Sequence, residues 1–135
     1  MLLPEPLLPT RAVVVPAGAW SEMCFPVIRE AVQRGYVIIC PQYRGSTGYG
    51  KALYDSFDYG GKEVDDAIGA VDYLKTLPYV DTDRVGIMGW SHGGMITASA
   101  LFRPQHPFKA GAARVPVSNL FLRPAPRAPG AERAV

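Results

Sequence analysis

Ser91 stands in Gly89-Trp90-Ser91-His92-Gly93, a G-x-S-x-G pattern whose residue types suit acyl transfer. A serine hydroxyl attacks a carbonyl when it is exposed, when a base takes its proton and when donors receive the charge on the carbonyl oxygen. The pattern meets the first and third needs. A tight strand-to-helix turn pushes the hydroxyl outward, and the glycines flank it because a side chain there would strike the neighbouring strand or helix. The backbone N–H of His92 then faces the reacting oxygen at a helix N-terminus, which favours negative charge. A plainer role is also open to Ser91, that of a helix cap.

The base is harder to place. In sheets with this turn the serine is followed in the chain by Asp or Glu and then by His. No Asp follows Ser91, the one later acid is Glu132, and the only histidines are His92 and His106. The His92 side chain should lean away from the adjacent hydroxyl. His106 lies between Pro104 and Pro107 with no acid between it and Ser91, and reads as a loop residue. The Asp and His of a triad are therefore expected to be absent from this chain.

The elements that must position Ser91 are legible. Arg84 to Trp90 reads as a strand, and His92 to about Phe102 as a buried helix. Arg11 to Pro16 is a short buried strand, since Val13, Val14 and Val15 suit a sheet interior. From Glu22 to Arg34, Phe25, Ile28, Ala31 and Val32 fall at helical spacing before Gly35, a natural stop. Tyr36 to Cys40 is a second strand, and Tyr43 to Lys51 is a glycine-rich loop. The clearest helix runs from Lys62 to Thr76. Val64, Ile68, Val71 and Leu74 form its apolar stripe, with Ala67 beside it. Asp65, Asp66, Asp72 and Lys75 read as a solvated face rather than a metal site. Residues 78 to 84 read as a turn, and Phe108 to Val117 as a fourth strand. Strands and helices thus alternate, which predicts an α/β fold: a parallel sheet of about four strands with three covering helices.

Composition narrows the function. The net charge of +2 comes entirely from the last fifteen residues, so nucleic acid is not an expected partner. Cys24 and Cys40 form no CxxC and read as reduced thiols, with no zinc site. No apolar run is long enough to span a bilayer, and the proline-broken start lacks a basic n-region. Neither a membrane partner nor a signal peptide is expected, and a cytoplasmic location is the default. Residues 1–10 read as an irregular segment and 11–120 as the domain. In 121–135, Pro, Ala or Arg fill ten of fifteen positions, which predicts a disordered tail. That tail reads as either a natural linker or the product of a shifted reading frame.

The stretch Gly35 to Gly94 resembles the catalytic domain of the prolyl oligopeptidase family of serine peptidases. It is most like the acylaminoacyl-peptidase and dipeptidyl-peptidase branches. The likeness is carried by Tyr43-Arg44-Gly45-Ser46-Thr47-Gly48-Tyr49-Gly50, Glu63-Val64-Asp65-Asp66, Asp83-Arg84-Val85 and Gly89-Trp90-Ser91-His92-Gly93-Gly94. The segment from Phe108 to Leu120 resembles the strand that follows in that family. The resemblance implies a partial α/β-hydrolase fold holding the third to sixth strands. It implies peptide cleavage by acyl transfer with no cofactor and no metal, with Ser91 as nucleophile and the His92 N–H as one oxyanion donor.

After the first of these strands the family commonly reads His-Gly-Gly-Pro, or Tyr with Gly or Ala. This sequence has Val15-Pro16-Ala17-Gly18-Ala19. Pro16 brings neither hydroxyl nor N–H, which leaves the Ala17 N–H as second donor. Tyr49 and Arg44 follow a strand on the side where such sheets bind ligands. They either line the site mouth or hold their loop together. Trp90 reads as packing. The chain is expected to be a truncated piece of a peptidase, inactive by itself. Its partners would be the peptide substrate, the remainder of the hydrolase domain and a propeller domain. An α/β-hydrolase esterase and a non-catalytic binding or assembly domain are the other readings.

Overall fold

The computed structural model describes residues 10–16 and 24–118. Most of the predicted irregular segment, the Ala17 turn, Glu22 and the predicted tail lie outside the described residues. The chain runs β1 (Thr10–Val14), α1 (Cys24–Gln33), β2 (Val37–Ile39), α2 (Lys51–Asp55), α3 (Lys62–Leu74), β3 (Val80–Trp90), α4 (His92–Phe102) and β4 (Ala110–Arg114). All strand pairs are parallel, in the order β2-β1-β3-β4.

The two inner strands explain the apolar runs. Ala12, Val14, Val85 and Ile87 are buried on the face that packs with α3 and α4, while Val13, Gly86 and Met88 on the opposite face are half-buried. α3 and α4 pack on each other and on these strands, while α1 lies against β2. Val64, Ala67, Val71 and Leu74 of α3 meet Ile96 and Ala100 of α4 in one core, each large apolar side chain contributing about 1.5–3 kcal/mol.

Two expectations need correction. The three covering helices are α1, α3 and α4, and among the described residues Lys51–Asp55 adds a short α2 inside the glycine-rich loop. The turn expected at residues 78–84 is confined to Pro78 and Tyr79, closed by the Val80 N–H donating to the Leu77 carbonyl at 3.1 Å, and the rest of that stretch enters β3 with an irregularity. Thr10 pairs with Val80 and Ala12 with Val85, so two steps along β1 match five along β3. There Asp81 Oδ1 accepts from the Asp83 N–H at 3.0 Å. β4 is shorter than expected, and all five of its residues are exposed.

The topology singles out one place. From β1 the chain passes to β2 on one side, and from β3 to β4 on the other. The crevice between β1 and β3 at their carboxyl ends is where open α/β sheets bind ligands. Pro16 and Ser91 sit at those two ends. No described helix is long and apolar enough to cross a membrane.

Candidate active site

β3 ends at Trp90 and α4 begins at His92, so Ser91 alone makes the turn. Its backbone has φ 50° and ψ −115°, a conformation that costs a non-glycine residue about 1–3 kcal/mol. Hydrogen bonds hold it there. The Ser91 N–H donates to the Arg114 carbonyl at 3.1 Å, and the Ser91 carbonyl accepts from Met95 N–H at 3.0 Å. Close packing does the rest. A Cβ on Gly93 would lie 2.8 Å from the Pro16 carbonyl oxygen, and one on Gly89 would overlap the Gly93 backbone. The Ser91 side chain is exposed and makes no capping hydrogen bond, so the helix-cap role does not account for it.

His92 is the first residue of α4, where a backbone N–H stands outside the helix's own ladder at the positive end of the dipole. Its ring lies among three aromatic rings. The centroids of Tyr43, Phe57 and Tyr59 are 5.5, 5.0 and 5.6 Å away. His106 lies beyond α4, its ring stacked on Phe108 at 6.2 Å. Ala17 is outside the described residues, but its neighbour Pro16 is buried against Gly93.

Arg44 is committed to holding its loop. Its Nη2 and Nε donate to the two oxygens of Asp66 at 2.7 and 2.9 Å, its own N–H donates to Oδ2 at 2.8 Å, and Nη2 also reaches the Lys62 carbonyl at 3.2 Å. Burial works against the Asp66 carboxylate, yet the Arg44 bonds outweigh it and lower its pKa, while the same bonds raise that of Arg44. Asp66 is therefore an anchor, not part of a solvated face. Tyr49 stands exposed on the same loop.

The model of the prolyl oligopeptidase family matches residues 25–123. The chain belongs to the prolyl oligopeptidase family. It is 35% identical over 91 residues to acylamino-acid-releasing enzyme 1 of Oryza sativa subsp. japonica, covering 66% of this chain and 12% of that protein. It is 36% identical over 96 residues to dipeptidyl-peptidase 5 of Porphyromonas gingivalis, covering 70% of this chain and 14% of the other. Among solved structures, dipeptidyl peptidase 4 of Porphyromonas gingivalis superposes with a TM-score of 0.73 at 32% identity, over 85% of this chain and 18% of that one. An acylaminoacyl peptidase in complex with Z-Gly-Gly-Phe-chloromethyl ketone gives 0.70 at 26%, over 82% and 19%. The chain thus spans under one fifth of the length of these relatives. The family's members are serine peptidases, and the sheet is the α/β-hydrolase sheet of those structures.

The start of α3 is built on residues that spacing did not single out. Glu63 opens α3 with no accessible surface, although it lies shallow in the fold. Its Oε1 accepts the Gly60 N–H at 2.5 Å, and Asp58 Oδ1 accepts the Lys62 N–H at 2.7 Å. Glu63 Oε2 is buried with no donor to accept from, and its polar neighbour is the Asp58 carboxyl. A proton on Glu63, donated to Asp58, satisfies both. Burial raises the Glu63 pKa and the Lys62 N–H lowers that of Asp58, so when the pair holds a single proton it sits on Glu63. Burial first, and the Glu63 charge second, push Tyr43 up to about 12. The sequence signal was an acid on each side of Gly60-Gly61 at a helix start, a stretched relative of the capping box.

Proposed function

We propose that this chain carries the nucleophile of a serine peptidase and that Ser91 is that nucleophile. The observation that carries the reading is the strained, exposed Ser91 at the β1/β3 crevice, wedged between glycines that tolerate no side chain. In the reaction Ser91 Oγ bonds to the peptide carbonyl carbon as a base takes its proton. The charge on the carbonyl oxygen is received by the His92 N–H and, in this reading, by the Ala17 N–H. The C–N bond breaks as the proton passes to the leaving amine, and water then releases the acid from the serine ester.

Ser91 Oγ forms no hydrogen bond to another described residue, so the base and its acid come from outside them in this proposal. The remainder of a hydrolase domain and a propeller domain are the partners it calls for, in a cytoplasmic enzyme. The 135-residue chain alone is accordingly expected to show no measurable peptide turnover. The test uses the native polypeptide that carries this sequence, with amide and ester substrates sharing one acyl group. Hydrolysis of both, reduced by about 10⁴-fold or more in Ser91→Ala, is expected. Ester hydrolysis alone would contradict a peptidase, and amide hydrolysis that survives the substitution would contradict the nucleophile.

A further inference from the structure

A cleft of about 450 Å³ opens beside the elbow, lined by Tyr43, Tyr54, Asp55, Phe57, Tyr59 and His92. It is bound to the elbow through His92, the residue after Ser91. Its chemistry is narrow. Five of these six side chains are aromatic rings, and Asp55 is the one charged group among them. The rings are mutually braced, with Phe57 and Tyr59 centroids 4.1 Å apart, while Tyr54 and Tyr59 are exposed toward the opening.

Aromatic faces with a single carboxylate match an organic cation. The ring quadrupoles attract a positive charge, the ring surfaces take its alkyl stem, and the carboxylate supplies a counter-charge. Asp55 now meets Lys51 one helical turn earlier in α2. That pair is exposed at both ends, and such pairs are worth about 0–1 kcal/mol, so an arriving ammonium displaces Lys51 at little cost.

We propose that this cleft binds an alkylammonium group of the substrate, with Asp55 and the tyrosine faces as its specificity determinants. The inference rests on Ser91 being the nucleophile, because that is what makes a ligand in the cleft a substrate. Two sources carry such a group: a lysine side chain and a peptide N-terminus.

Three probes separate them when titrated into the native polypeptide that carries this sequence and followed by NMR shifts at residues 54 to 59. They are Nα-acetyl-lysine methylamide, norleucine methylamide with a free amine, and Nα-acetyl-norleucine methylamide, which has no charge. One of the two cations should bind about three- to tenfold more tightly than the neutral probe, identifying the source. Asp55→Asn should remove most of that preference. Asp55 is exposed near the end of a short helix, so the variant leaves the core untouched. Equal affinity for all three probes, or a preference that Asp55→Asn leaves intact, overturns the cleft assignment. Fluorophosphonate labelling of Ser91 in the native polypeptide is read separately. Labelling without cation preference overturns the cleft and leaves the peptidase reading. Cation preference without labelling overturns the assignment of the ligand to substrate.

Discussion

Ser91 is held at φ 50°, where glycine is comfortable and other residues are strained. Its place in the fold is therefore a cost accepted for exposure of one hydroxyl. Ser91→Gly and Ser91→Ala both remove that hydroxyl, but only glycine relieves the backbone. Thermal unfolding should show Ser91→Gly more stable than Ser91→Ala by about 1 kcal/mol. Equal midpoints would mean the turn is not strained. Gly93→Ala tests the packing from the other side. Its Cβ would press the Pro16 carbonyl oxygen at 2.8 Å, so β1 or α4 must shift. A loss of about 1–3 kcal/mol is expected in the same measurement. The elbow was legible in the sequence because its chemistry needs small residues at fixed steps from the serine. The histidine and acid that would complete it were not, because neither follows Ser91 in a hydrolase setting.

The loop from Tyr43 to Gly50 and the start of α3 form one unit, joined by Arg44 and Asp66. Breaking that pair with Arg44→Ala leaves the half-buried Asp66 carboxylate without its guanidinium and frees the loop from α3. Faster amide exchange across residues 43 to 50 would report it, and unchanged exchange would place the anchor elsewhere. The acids of this unit pull stability in opposite directions with pH. Glu63 has a raised pKa, so its contribution is full below the ordinary carboxylate range and is lost as pH rises through its folded value. Asp58 and Asp66 have lowered values, so theirs is present above that range and is lost as pH falls. The thermal midpoint should therefore peak in mildly acidic solution. Glu63→Gln, which keeps a donor for Asp58 and an acceptor for Gly60, should abolish the decline on the alkaline side. A decline that persists in Glu63→Gln would place the titration on another group. Periodicity showed that α3 buries Val64, Val71 and Leu74. It showed neither Glu63 inside nor Asp66 paired, because both depend on a loop that folds back from 22 or fewer residues upstream.

At the scale of the molecule, alternating strands and helices foretold a parallel sheet, since parallel neighbours need crossovers of helix length. The order β2-β1-β3-β4 was not readable from that alternation, because strand order depends on which side each crossover takes. The family resemblance in Gly35 to Gly94 supplied what periodicity lacked. The sheet also exposes β4 from Ala110 to Arg114 along its whole length, and its outer edge pairs with no described strand. Such an edge offers unpaired backbone groups to another chain. The 135-residue chain should therefore self-associate with rising concentration in sedimentation velocity, and Ala112→Lys should weaken that association. A monomer at every concentration would contradict it. All of these expectations matter for function only if Ser91 reacts. The direct measurement is to treat the native polypeptide with a fluorophosphonate and map the adduct by mass spectrometry. The adduct should lie on Ser91 and vanish when the protein is denatured first; no adduct, or one on a different residue, would contradict Ser91 as the nucleophile.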